Sequence, residues 1–148
     1  MRNLKFYACS VGQPGKDYVE RNLERILKNK SFILHKDTIQ KGVYSSIQPG
    51  DILLLKYNSN FIAYGKTIGI ITTDNQEWNL RAPVIEWIFK DPDDPRKGIK
   101  TYGIGYETIG GGPYGTVKEL TMNFGLQKIK EINRSSDLYM DIMKEVKP

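Results

Sequence analysis

The stretch Gln48-Pro49-Gly50-Asp51, running into Ile52-Leu53-Leu54-Leu55-Lys56-Tyr57, leaves this chain few ways to fold. Proline and glycine side by side make a turn. The apolar run beyond them is far too short to span a membrane and reads as a largely buried strand. Asn58-Ser59-Asn60 then forms a short hairpin connection to a second strand, Phe61-Ile62-Ala63-Tyr64-Gly65-Lys66-Thr67-Ile68. At 148 residues, 39% of them hydrophobic, the chain can bury one core, so a single domain over 1–148 is expected.

The other elements arrange themselves around that hairpin. Residues 5–11 read as a first strand, broken by the turn-rich Gly12-Gln13-Pro14-Gly15. In the helix that follows, Asp17 and Glu20 have the spacing of a capping box, and Val19, Leu23, Ile26 and Leu27 share one face. A further strand is expected over 82–89, with Pro83 at its start. Residues 102–115 are glycine-rich, and Gly110-Gly111-Gly112 lacks the Lys-Ser/Thr ending of a phosphate loop. A short strand over 116–120 leads to a helix with Met122, Leu126 and Ile129 on one face. A last helix near Asp137–Val146 has Ser135 or Ser136 available as its cap. This order predicts an α+β domain: a curved, barrel-like mixed β-sheet flanked by helices, with its core at about 4–132 and a C-terminal helix at about 136–147. There is no alternating βαβ pattern of the dinucleotide-binding kind.

Catalytic signatures are missing. There is no Gly-x-Ser-x-Gly elbow, His-Glu-x-x-His helix or Cys-x-x-Cys pair, and His35 is the one histidine. A metal site, a cofactor and an enzyme activity are therefore not expected. Asp91, Asp93 and Asp94 are interrupted by prolines and read as a solvated loop. Cys9 sits among Phe6, Tyr7 and Ala8, the setting of a buried structural thiol. With no signal-like N-terminus, the chain reads as soluble and cytoplasmic. The net charge of +5 comes from residues 1–56, which hold ten Lys/Arg against five Asp/Glu, whereas 57–148 hold twelve of each. A basic part of this kind attracts polyanions and makes nucleic acid the leading partner.

The two tryptophans read differently. Alternation over 84–89 places Ile85, Trp87 and Phe89 on an apolar face, so Trp87 belongs to the core. Trp78 stands among Asp74, Asn75, Gln76, Glu77 and Asn79, where a ring suits the stacking of an unpaired base. Gln76-Glu77-Trp78-Asn79-Leu80-Arg81, running into Val84-Ile85-Glu86-Trp87-Ile88-Phe89, resembles the segment of YTH domains in which a cage tryptophan precedes a strand. Residues 5–10, 51–65 and 116–132 are similar to the first strand, the central hairpin and the closing strand and helix of that family. The Pro-Gly-Asp turn is shared with EVE domains of the PUA-like superfamily and with N-terminal specificity domains of McrB-type modification-dependent restriction systems.

The resemblance implies a PUA-like fold that binds a flipped, methylated or otherwise modified base in an aromatic cage, in a prokaryotic restriction or defence system. Trp78 is then a cage wall, and Ser10 and Cys9 lie at the strand end that offers polar contacts to the base edge. The chain lacks the second YTH cage tryptophan, expected near Phe32, and a carboxylate near Gly115, so Tyr64, Phe32 and Tyr114 are the rings left to complete the pocket. Lys16, Arg21 and Arg81 are candidates for phosphate contacts. Modified DNA is the expected ligand, with a motor or nuclease domain or subunit as partner and no membrane. An RNA reader of the same fold and a protein-interaction domain are the alternatives.

Overall fold

The computed structural model describes residues 3–11, 17–34, 46–74, 80–101 and 116–146. The larger sheet is built from β1 (Phe6–Ser10), β3 (Ile52–Tyr57), β4 (Asn60–Lys66), β7 (Ile88–Phe89), β8 (Ile99–Lys100) and β9 (Thr116–Leu120). Its order is β7-β4-β3-β1-β9, and β8 joins the same sheet by pairing with β4. Among the described residues only β1 and β3 pair in parallel, with Phe6 opposite Ile52 and Ser10 opposite Lys56. A second, antiparallel sheet has the order β2 (Ser31–Leu34), β6 (Leu80–Pro83), β5 (Ile71–Thr72). The helices are α1 (Tyr18–Lys28), α2 (Met122–Ile132) and α3 (Asp137–Val146). The domain is thus α+β with mixed sheets, and the two sheets do not close into a barrel.

Strand alternation explains why β1 from Phe6 to Cys9 and β3 from Ile52 to Leu55 are unbroken apolar runs. Side chains of successive residues leave opposite faces of a sheet, so a strand covered on both sides needs no polar positions. Tyr7, Cys9, Val11, Leu53 and Leu55 join one buried cluster with Val19, Leu23 and Ile26 of α1 and with Phe32, Ile33 and Ala82 of the smaller sheet. Phe6, Ala8, Ile52 and Leu54 join the other, with Ile129 and Ile132 of α2 and Ile142 of α3. The larger sheet is therefore a middle layer, with α1 and the small sheet on one side and α2 and α3 on the other.

The Pro-Gly turn forms as expected. Gly50 takes a positive φ of 96°, and the Asp51 backbone N–H donates to the carbonyl of Gln48 at 3.1 Å. The buried carboxylate of Asp51 accepts from the backbone N–H of Gln48 at 2.8 Å and of Lys5 at 2.9 Å, which ties the start of β3 to the start of β1. Asn58, at φ 54°, turns the hairpin. Thr121 caps α2 by accepting from Phe124 N–H at 3.2 Å, and the Ser136 hydroxyl does the same for Tyr139 N–H at the start of α3.

Two expectations need correction. The strand expected over 82–89 is two strands in different sheets: β6 ends at Pro83 and β7 begins at Ile88. Between them the chain crosses from the small sheet to the large one, leaving Ile85 67% exposed while Trp87 is buried as expected. The Asp17–Glu20 capping box does not form, because Asp17 makes no side-chain cap bond. Glu20 turns instead to Arg96, whose Nε and Nη2 donate to Oε2 at 2.9 and 2.7 Å, and to the hydroxyl of Tyr57. Among the described residues no helix is long and apolar enough to cross a membrane.

Candidate functional site

The end of β1 meets α1 and β2 around a small cavity lined by Ser10, Val11, Asn22, Arg25, Phe32 and Ile33. Helical spacing accounts for part of this lining. Asn22 and Arg25 are three residues apart on α1, so they project from neighbouring turns of one face. Asn22 is buried, and its Nδ2 donates to the carbonyl of Val11 at 3.1 Å, fixing the helix to the outgoing end of β1. Phe32 is fully buried and supplies an aromatic wall. The cavity holds about 10 Å³, the space of one water, and the surface facing it is mostly apolar, so it is not a pocket that closes around a ring.

The structure places the expected site residues unequally. Ser10 and Phe32 meet at this cavity. Cys9 is fully buried in the cluster on the α1 side, and burial pushes its thiol well above the usual range, so it stays protonated and packs as a small apolar group. Tyr64 belongs to the opposite cluster. Its hydroxyl donates to the carbonyl of Asn133 at 2.7 Å and lies 2.6 Å from Ser136 Oγ, so the ring ties β4 to the turn between α2 and α3 and is remote from Ser10. Arg21 is exposed on α1. Arg81 lies on β6 opposite Ile33, and its Nε is buried with no hydrogen-bond partner among the described residues. Trp78, Tyr114 and Lys16 lie outside the described residues.

Asn22 and Arg25 are the additions made by the fold. Helical spacing from Val19 and Ile26 puts Asn22 next to the buried stripe, and that position was the available signal. Another residue the sequence did not single out is Lys56, which is 2% exposed at the end of β3. Its Nζ donates to the carbonyl of Asn58 at 2.6 Å, and burial lowers its affinity for the proton. On α1, Glu20 is held below the usual carboxylate range, first by the bond from Arg96 and then by that from Tyr57.

An amide, a guanidinium and a hydroxyl beside an aromatic ring bring hydrogen-bonding groups of both kinds to one place. Acyl or phosphoryl chemistry needs a nucleophile beside a base, and the protonated Cys9 is a poor nucleophile. No cluster of three metal-ligating side chains occurs among the described residues. No protein-family model matches the chain, and no curated protein matches it.

Proposed function

We propose that this chain is a nucleic-acid-binding module that accepts a flipped, modified base from DNA, and that it is the specificity domain of a prokaryotic restriction or defence system. The observation that carries the reading is the meeting of Ser10, Asn22 and Arg25 with the buried ring of Phe32 around one small cavity at the end of β1. The likeness to YTH and EVE domains and the net charge of +5 support it. In this reading the base lies at the mouth of the cavity with Trp78 against its face, Ser10 and Asn22 read its edge, and Lys16, Arg21 and Arg81 meet phosphates. The module has no catalytic step of its own. Extruding a base costs a few kcal/mol, and stacking, worth about 1–3 kcal/mol per base, together with edge hydrogen bonds offsets that cost.

The test is fluorescence anisotropy at fixed salt with DNA oligonucleotides carrying N6-methyladenine, 5-methylcytosine or no modification, and with their RNA counterparts. One modified DNA should bind about tenfold or more tightly than its unmodified form, and Trp78→Ala should remove the preference. Tighter binding of the modified RNA would transfer the reading to an RNA module. Equal affinities throughout, indifferent to Trp78→Ala, would overturn it.

A further inference from the structure

On the far side of the sheet from Ser10, the end of β7, the second half of α2 and the turn before α3 enclose an open hollow of about 730 Å³. Lys90, Lys130 and Arg134 line it, with Gln127, Asn133 and Ser135 as further polar groups and Glu131 as the only carboxylate among the described residues of its lining. Two features of the hollow disfavour an anion, and both are answered inside the fold. Glu131 is paired with Lys128 at 3.6 Å. The carbonyl end of α2 attracts cations, but Lys90 Nζ donates to the Glu131 carbonyl at 3.2 Å and Asn133 N–H to the Ile129 carbonyl at 2.9 Å. Lys130 and Arg134 are exposed, and no ion pair to either is present among the described residues.

We infer that this hollow binds the phosphodiester backbone of the nucleic acid whose base is taken at the Ser10 side. The inference rests on the proposed function and adds a second contact surface to it. Lys130 and Arg134 supply two cations that need not abandon a partner, and Arg134 can meet a phosphate with two parallel donors. The hollow lies in residues 57–148, where opposite charges balance in number. Folding, not composition, concentrates the positive ones.

The geometry also sets a length. Layers pack about 10 Å apart, so a strand that passes around the sheet edge from the α1 side to the α2 side must cover more than about 20 Å, which is about six nucleotides at the stacked spacing of 3.4 Å each. A short ligand can occupy the base site alone, and a long one can reach both.

The experiment compares K130E/R134E with the unaltered protein, using a 4-nucleotide and a 20-nucleotide DNA that carry the same modified base, over a series of salt concentrations. The double variant should bind the long DNA roughly tenfold more weakly, with the slope of log affinity against log salt reduced by about 1.5–2, and should bind the short DNA unchanged. Circular dichroism and thermal unfolding check the fold; should the charge reversal perturb it, K130Q/R134Q carries the same expectation with a smaller fall. Unchanged affinity and slope on the long DNA, with the Trp78-dependent preference intact, overturn the hollow and leave the base site standing. An unaltered protein that binds neither DNA overturns both.

Discussion

The two faces of the larger sheet are covered by different means. On the α2 side the fit is close and mostly apolar, with the Tyr64 hydroxyl bonds to Asn133 and Ser136 where α2 turns into α3. A Cβ placed on Gly125 of α2 would stand 2.4 Å from the ring of Phe6 on β1, so the helix can approach only because that side chain is missing. On the α1 side the cover is a helix and a second small sheet, joined to the middle layer in part by polar bonds: Asn22 to Val11, and Glu20 to Tyr57 and Arg96. A close-packed layer holds its shape by exclusion, and small changes in volume are costly there. A face that one close-packed layer has already made rigid can spend polar residues on a cavity.

That contrast can be broken on either side. The largest effect is expected from Gly125→Ala. In an exposed helix the change gains up to about 1 kcal/mol, but against Phe6 it forces overpacking, and a net loss of about 2 kcal/mol should appear in urea unfolding. A gain in stability would mean that the α2 face is not close-packed. Next is Tyr64→Phe, which removes the hydroxyl shared by Asn133 and Ser136; it should cost about 1–2 kcal/mol and leave the preference for a modified over an unmodified base as it was, since the ring lies on the far side from the cavity. Altered base preference in this variant would place Tyr64 in the pocket after all.

The smallest effect is on the α1 side. Glu20→Gln should destabilise by less than about 1 kcal/mol, because the pair with Arg96 is half-exposed. Its sign with pH is fixed by the lowered carboxyl. The contribution is complete above the ordinary value of 4.5 and is lost as the pH falls through the folded-state value. Unfolding curves of the two proteins should therefore converge in acid and separate at neutral pH. A gap that widened in acid would show that Glu20 works by another route.

The central hairpin, the first strand, α1 and the last two helices were legible because each carries its own pattern: a turn residue at the end and a period of two or of three to four within. Cys9 and Trp87 proved buried, as their apolar neighbours indicated. What could not be read depends on distant partners. Alternation over 84–89 continues smoothly while the backbone changes sheets, because the pattern records burial and not the strand that provides it. Glu20 has the spacing of a cap, yet it is drawn to Arg96, 76 residues away. The parallel pairing of β1 with β3 was hidden because α1 and β2 both stand between them in sequence. At the candidate cavity, Ser10 and Phe32 follow from the resemblance to YTH and EVE domains, whereas Asn22 and Arg25 come from where the fold sets α1. The hollow of Lys90, Lys130 and Arg134 was invisible to a charge count that sums to zero over its half of the chain.

Lys56 has a consequence in time as well as in space. An amine reacts with acylating reagents only when it is both accessible and unprotonated, and this one is sealed at the end of β3 with its Nζ on the carbonyl of Asn58. Exposed lysines on the helices are marked at the reagent's own rate with a solvated amine, with no opening required. Lys56 can be marked only when the middle of the sheet parts, so with reagent in excess its labelling advances at the pace of that opening. The domain carries its own clock for the motion that its two covering layers prevent.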